Sequence, residues 1–244
     1  MSMGLDCQIL RRVFPCIGLV ACGVLLASCK PGRSGDELVK NGGFEKPFAP
    51  VGKQRIGNEP PAPSDTGGNA HIILGIAPGR EPPGFGWKVE SGDVDVTAYG
   101  YDPGDGALLL GKMADGYQCL DLDGYRPGTI SQSVVTEPGK VYLLTFAYAN
   151  NPDGNTVPGH AFKAKVSLVD AASGADLVAP WHITHASSTA KDYHWTRPDP
   201  VAFTARGTRT MVRFASEDEA GSAWGIFLDD VAIKEKPLLN LKAP

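Results

Sequence analysis

The sequence predicts an all-β fold, a jelly-roll β-sandwich in a single domain with a long Pro/Gly-rich insertion. Three observations carry this expectation. Short segments of alternating apolar residues follow one another in close order, with Gly, Pro, Asn and Asp between them. The 244 residues include 30 Gly and 20 Pro, a composition that interrupts helices and supplies turns. No sustained helical period and no internal repeat is visible.

Residues 1–28 read as a lipoprotein signal peptide. Arg11 and Arg12 form a positive region ahead of the apolar "VFPCIGLVACGVLLASC", whose run of about 13 residues is too short to span a bilayer. Leu26-Ala27-Ser28-Cys29 resembles a bacterial lipobox, which implies cleavage before Cys29 and lipidation of its sulfur and new amino group. Buried methylenes contribute roughly 0.8 kcal/mol each, so such a terminus tethers firmly. The alternative is an ordinary signal peptide with a chance cysteine. Lys30, rather than aspartate, follows the cysteine, as in lipoproteins sent to an outer membrane. The expected place is therefore a bacterial cell envelope, lipid-anchored at the outer membrane or cell surface. Cys7, Cys16 and Cys22 leave with the signal, so Cys119 is the one remaining thiol and no intramolecular disulfide can form. With no histidine near it in sequence, Cys119 reads as a small strand residue rather than a nucleophile.

Residues 29–37 are a flexible tether, 38–236 the sandwich domain and 237–244 a tail. "LVKNGGFEKP" reads as a first strand entering a turn, and residues 46–86 as a long connection with at most one strand, "HIILGIA". Eight strand segments follow: "WKVESGDVDV", "GYQCLDLDG", "GTISQSVVT", "KVYLLTFAYAN", "AFKAKVSLVDA", "PVAFTA", "TRTMVRFAS" and "WGIFLDDVAI". Period-2 alternation puts Tyr142, Leu144, Phe146 and Tyr148 on one face, then Phe162, Ala164, Val166 and Leu168, then Thr210, Val212 and Phe214. Trp87 and Trp224 read as core. In "LDDVAI" the same phase turns Asp229 inward with Phe227 and Asp230 outward. A buried carboxylate needs a cation, hydrogen bonds or a raised pKa.

"LVKNGGFE" and "LDDVAI" resemble the first and last strands of galactose-binding-like jelly rolls, including calcium-stabilised carbohydrate-binding modules. "WKVESGDVDV", "CLDLDGYRPGTISQSVVTEPGKVYLLTFAYANNPDG" and "VRFASEDEAGSAWGIFLDDVAI" resemble the choice-of-anchor C family, related to the domain-of-unknown-function 642 group of cell-wall proteins, over roughly residues 38–233. The long stretch 46–83 and the N-terminal anchor depart from that pattern. By position, the resemblance implies one structural Ca²⁺ held by the Gly43 carbonyl, Glu45 and Asp229, clasping the two chain ends. The alternative is that Glu45 and Asp229 accept backbone N–H bonds or pair with a base such as Arg213.

A net charge of −4 and a pI near 5.7 exclude nucleic acid as a partner and predict repulsion of acidic glycans. Sugar recognition needs aromatic faces flanked by amides and carboxylates. The candidates are Trp181, Tyr193 and Trp195, with Tyr148, Asn150 and Asn151 at one strand end and Asp121 on a second surface. For Trp195 the favoured reading is packing at the start of a strand. Gln132, on a core face, calls for backbone partners. His182 and His185 lack a third metal ligand, face opposite sides of a strand and read as surface residues. "DLDG" fails the EF-hand spacing, since position 12 is Gln132. No hydrolase elbow, phosphate loop or dinucleotide fingerprint occurs. The reading is a non-catalytic module that binds polysaccharide or a cell-wall component, held to a membrane by an N-terminal lipid. The rivals are a protein-binding adhesion or envelope-assembly module and a polysaccharide-active enzyme.

Overall fold

A computed structural model describes residues 36–49, 52–55, 71–100, 110–154, 160–219 and 223–237. The lipobox at Cys29 lies outside these residues. The strands are β1 (Gly52–Arg55), β2 (His71–Ile76), β3 (Lys88–Ser91), β4 (Val94–Ala98), β5 (Gln118–Asp121), β6 (Thr129–Val135), β7 (Val141–Asn150), β8 (Phe162–Asp170), β9 (Trp181–His185), β10 (Val201–Thr204), β11 (Arg209–Ser216) and β12 (Ile226–Glu235). They form a seven-stranded sheet in the order β1-β2-β4-β5-β12-β7-β10 and a five-stranded sheet in the order β3-β6-β11-β8-β9. The expected β-sandwich is the observed fold.

Alternation decides what lies between the sheets. Leu144 and Phe146 of β7, Phe162 to Leu168 in steps of two on β8, and Val212 and Phe214 of β11 are all buried in one core, as the pattern predicts. Trp87 joins them, stacked on Phe44 at 5.6 Å and edge-on to Phe214 at 6.1 Å. Burying a phenylalanine of this kind stabilises by about 1.5–3 kcal/mol.

Several local expectations are corrected. "LVKNGGFEKP" forms bends and a turn rather than a strand. The long connection carries two strands, β1 and β2, paired in parallel. "PWHITH" supplies β9, an edge strand. "WKVESGDVDV" is split between the sheets as β3 and β4. Gly92, at φ 63°, makes that corner; a Cβ there would stand 2.0 Å from the Pro127 carbonyl oxygen. Trp224 is 37% exposed rather than core, its indole donating to Asp153 at 3.1 Å.

The two ends of the domain meet. Leu38 N–H donates to the Ile233 carbonyl and Val231 N–H to the Gly42 carbonyl, each at 3.0 Å. Ile233 N–H donates to Glu37 at 2.9 Å. Gln132 holds the same segment from the other sheet, accepting from Lys40 N–H at 2.7 Å and donating to its carbonyl at 2.9 Å. The chain approaches β12 so closely that a Cβ on Gly42 would stand 1.9 Å from the Val231 carbonyl oxygen.

Candidate functional site

β12 carries the acidic pair, and a bulge separates its two halves. The register against β7 shifts between Asp229 and Ala232, with Asp230 at φ 49°. Ile226, Leu228, Val231 and Ile233 therefore all reach the sandwich core, on both sides of the irregularity. Phe227 clusters instead with Cys119, Ala149 and Tyr193, and Asp229, two positions on, shares its outer face of the seven-stranded sheet. The expected inward position of Asp229 is thus corrected in kind: it is fully buried, but under a covering layer of loop rather than between the sheets.

Asp229 is met there by backbone donors. Asp115 N–H reaches Oδ2 at 2.9 Å and Asp230 N–H reaches Oδ1 at 2.7 Å, with Ala114 also bonding through its backbone. Burial nonetheless pushes its carboxyl up to about 8, and those backbone bonds only partly oppose the shift. Glu45 does the same for the next residues, its Oε1 accepting Tyr117 N–H at 2.7 Å and Gln118 N–H at 2.9 Å. Asp230 turns outward to Arg197, which also donates to the Ala114 carbonyl at 3.1 Å. Arg213, the base considered for Asp229, lies on the other sheet and pairs with Glu90 at 2.7 Å.

Gly43 stands where the acids converge. A Cβ there would be 3.1 Å from Asp115 Oδ2, 3.6 Å from Asp229 Oδ1 and 3.8 Å from Glu45 Cγ. Gly43, Glu45 and Asp229 are therefore brought together, with Asp115 as an acid that sequence reasoning missed. Oxygen donors of this kind suit a hard cation. As the side chains stand, no group of three or more His, Cys, Asp or Glu among the described residues could hold a metal ion.

The same outer face bears aromatic side chains. Its floor is the Cys119, Ala149, Tyr193 and Phe227 cluster, flanked by Met113, Ala190 and Trp195. Tyr193 lies edge-on to Phe227 at 5.4 Å, and a Cβ on Gly111 would stand 2.5 Å from its ring, so the backbone at 110–111 lies directly over it. At the sheet end, Ala98 faces Gln118, and one residue on Tyr99 N–H donates to the Tyr117 carbonyl at 2.9 Å. The two tyrosines are thus cross-strand neighbours on one face, 47% and 67% exposed. Phe48, 60% exposed, lies in a turn held by buried Gln118, which donates to the Phe44 and Pro47 carbonyls and accepts from Ala49 N–H. Sequence reasoning passed over all three. The signal was present for Tyr117, which alternation places on the face of Cys119, opposite Leu120.

The predicted ligand residues fare differently. Tyr193 is fully buried, its hydroxyl without a hydrogen-bond partner among the described residues, and burial raises its pKa, with Cys119 and Tyr99 adding to the shift. Asn150 and Asn151 are buried at the end of β7; Asn151 donates to Asp121 at 2.7 Å, and Asn150 N–H to His185 Nδ1 at 3.1 Å. Asp121 is buried too, its pKa raised by desolvation and then by Asp123 and Asp95. These four present no side-chain surface to a ligand, because each is used inside the fold. His185, expected at the surface, is buried; its Nε2 donates to the His194 carbonyl, and desolvation lowers its pKa. His182 is exposed, paired with Glu217. Trp181 faces inward at the edge of the sandwich, packed on the core. Tyr148 is partly buried against the same core, and Trp195 is half-buried with its indole donating to the Lys112 carbonyl at 2.8 Å.

Comparison with known proteins places the chain. Halomucin of Haloquadratum walsbyi (strain DSM 16790 / HBSQ001) is 32% identical over 151 residues, 62% of this chain and 1% of halomucin. The Arabidopsis thaliana protein "DUF642 L-galactono-1,4-lactone-responsive gene 1" is 28% identical over 227 residues, 87% of this chain and 51% of that protein. The chain thus spans about half the length of the Arabidopsis relative and a small fraction of halomucin. Among solved structures, TmCBM61 in complex with β-1,4-galactotriose is similar at TM-score 0.39, 18% identity, 62% of this chain and 88% of that one. A CBM4 structure is similar at TM-score 0.38, 14% identity, 81% of this chain and 99% of that one. The family described as "Protein of unknown function (DUF642)" matches residues 75–234, from β2 almost to the end of β12, and the chain belongs to it.

Proposed function

We propose that the domain is a non-catalytic carbohydrate-binding module whose platform is the exposed set Tyr99, Tyr117 and Phe48. The observation that supports this most directly is the cross-strand placement of Tyr99 and Tyr117, both exposed, on the outer face of the seven-stranded sheet. Aromatic faces at a sheet end suit the apolar side of a pyranose, and Asp115 and Glu45 lie alongside for its hydroxyls. The platform is rigid because Tyr117 N–H is bonded to Glu45 and the Phe48 turn to Gln118. A panel of neutral wall polysaccharides and their oligosaccharides, offered to the full chain, tests the reading. Retention of at least one by the native chain and its loss in Tyr117→Ala are expected; turnover of a retained glycan by the pure protein would replace the module with an enzyme.

The reading includes a lipid on Cys29 that holds the module to a cell envelope, and one structural Ca²⁺ at Gly43. Glu45 and Asp229, with Asp115, would have to turn from their present backbone partners to hold the ion with the Gly43 carbonyl, and it would supply positive charge to a carboxyl that burial otherwise protonates. Its role is to fasten the chain ends, not to react.

A further inference from the structure

We propose that the outer face of the five-stranded sheet binds a carboxylated polysaccharide through cations that the net charge of the chain conceals. The formal charge of −4 counts every acid equally. Yet Asp93, Asp95, Asp121, Asp123, Asp170 and Asp229 are buried, and among the described residues no lysine or arginine is. Much of the acidic excess is therefore internal, and the expected repulsion of acidic glycans does not extend to this face.

Strand alternation builds the patch. Lys163 and Lys165 of β8, Arg209 and Arg213 of β11 and Lys88 of β3 are exposed, while their neighbours Phe162, Ala164, Val212, Phe214 and Val89 fill the core. Lys88 and Arg213 lie in one row across the sheet, each opposite Ser131, and Lys165 stands opposite Ala215, two residues further along β11. Adjacent strands are about 4.8 Å apart, so from β3 to β8 the cations cover three spacings, or roughly 14 Å, which suits an extended polymer better than a single small anion. Carboxylates also stand among them: Glu90 is paired with Arg213 at 2.7 Å, Glu217 with His182 at 2.6 Å, and Asp218 lies beside Lys163, so Lys88, Lys165 and Arg209 carry the attraction. Hydroxyls of Ser133 and Thr184 point the same way and can bond sugar hydroxyls.

A lipid surface is the weaker match, because none of the exposed large hydrophobic residues among those described belongs to this face. Attraction of this sort is long-ranged, weakened by salt and independent of aromatic stacking. The patch is separate from the tyrosine platform and stands whether or not that platform binds.

Polygalacturonate binding to the full chain, carried in a Cys29→Ser background so that no lipid contributes, tests the inference. The native surface is expected to bind at 20 mM salt and to lose at least tenfold in affinity at 300 mM. The Lys88→Glu/Lys165→Glu pair is expected to lose at least tenfold at low salt, and Lys88→Gln/Lys165→Gln to fall between. Tyr117→Ala should leave this binding unchanged, whereas the charge reversals should leave neutral-glycan binding unchanged, so the two readings fail separately. Unaltered polygalacturonate affinity in the reversed protein, no binding by the native surface, or stronger binding to phosphatidylglycerol vesicles than to polygalacturonate would each overturn it.

Discussion

Asp229 concentrates the tension in this protein. Backbone N–H groups address both of its oxygens, which favours the ion, while desolvation favours the acid and wins, leaving the carboxyl at about 8. The consequence for stability has a definite sign. Between the carboxylate range of an unfolded chain and pH 8, the folded form holds a proton that the unfolded form has released. Stability from this residue therefore falls as pH rises through that window and levels off above it. Asp229→Asn should flatten the fall, measured as urea midpoints from pH 5 to 8.5 in the presence of chelator; an equally steep profile in the variant would show that the proton sits elsewhere. His185 acts in the opposite sense, since its lowered pKa costs stability as pH drops below its unfolded value. Alternation alone turned Asp229 inward and Asp230 outward; the outward turn of Asp230 and the burial of Asp229 hold, but Asp229 is buried on the outer face of the sheet. Alternation could not reveal the bulge that sends Val231 and Ile233 to the other face, because a bulge leaves no periodic trace.

At the scale of elements, "KNGGFE" is the segment that most repays local reading. Asn41 bonds the Lys46 amide and carbonyl, Gly42 touches β12, Gly43 leaves room for three acids, Phe44 is buried against Trp87, and Glu45 receives two amides. Gly42→Ala forces a Cβ into the Val231 carbonyl and should destabilise by about 1–3 kcal/mol, the range for overpacking, measured by denaturant unfolding. Native-like stability in that variant would mean that the ends are not in contact. The strands with clean alternation, β7, β8 and β11, were legible from sequence because one face is apolar throughout. The buried ligand candidates were not. Asn150, Asn151 and Asp121 are polar residues at strand ends, and what separates an exposed amide from one bonded inside is its neighbours in space, which spacing does not encode. Trp224 and Tyr193 fail in opposite directions for the same reason.

For the whole molecule, the arrangement is a sandwich whose first and last segments are sewn together beside an aromatic platform. If calcium completes that seam, chelation should remove about 2.7 kcal/mol at a hundredfold excess of ion over Kd, or roughly 5–10 °C in Tm. Asp229→Ala should abolish the difference, and an unchanged native Tm with chelator would leave the amide bonds as the sole fastening. If Cys29 carries lipid, Cys29→Ser should move the protein from the detergent phase to the aqueous phase; detergent partitioning like that of the native chain would set the lipobox aside. The central claim is that Tyr99 and Tyr117 form a sugar platform. Isothermal titration of an oligosaccharide retained in the polysaccharide panel, into the native chain and into Tyr99→Ala and Tyr117→Ala, tests it most directly. The account predicts saturable binding by the native chain and at least a tenfold loss in each variant, with Tm unchanged. Equal affinity in all three proteins would contradict it.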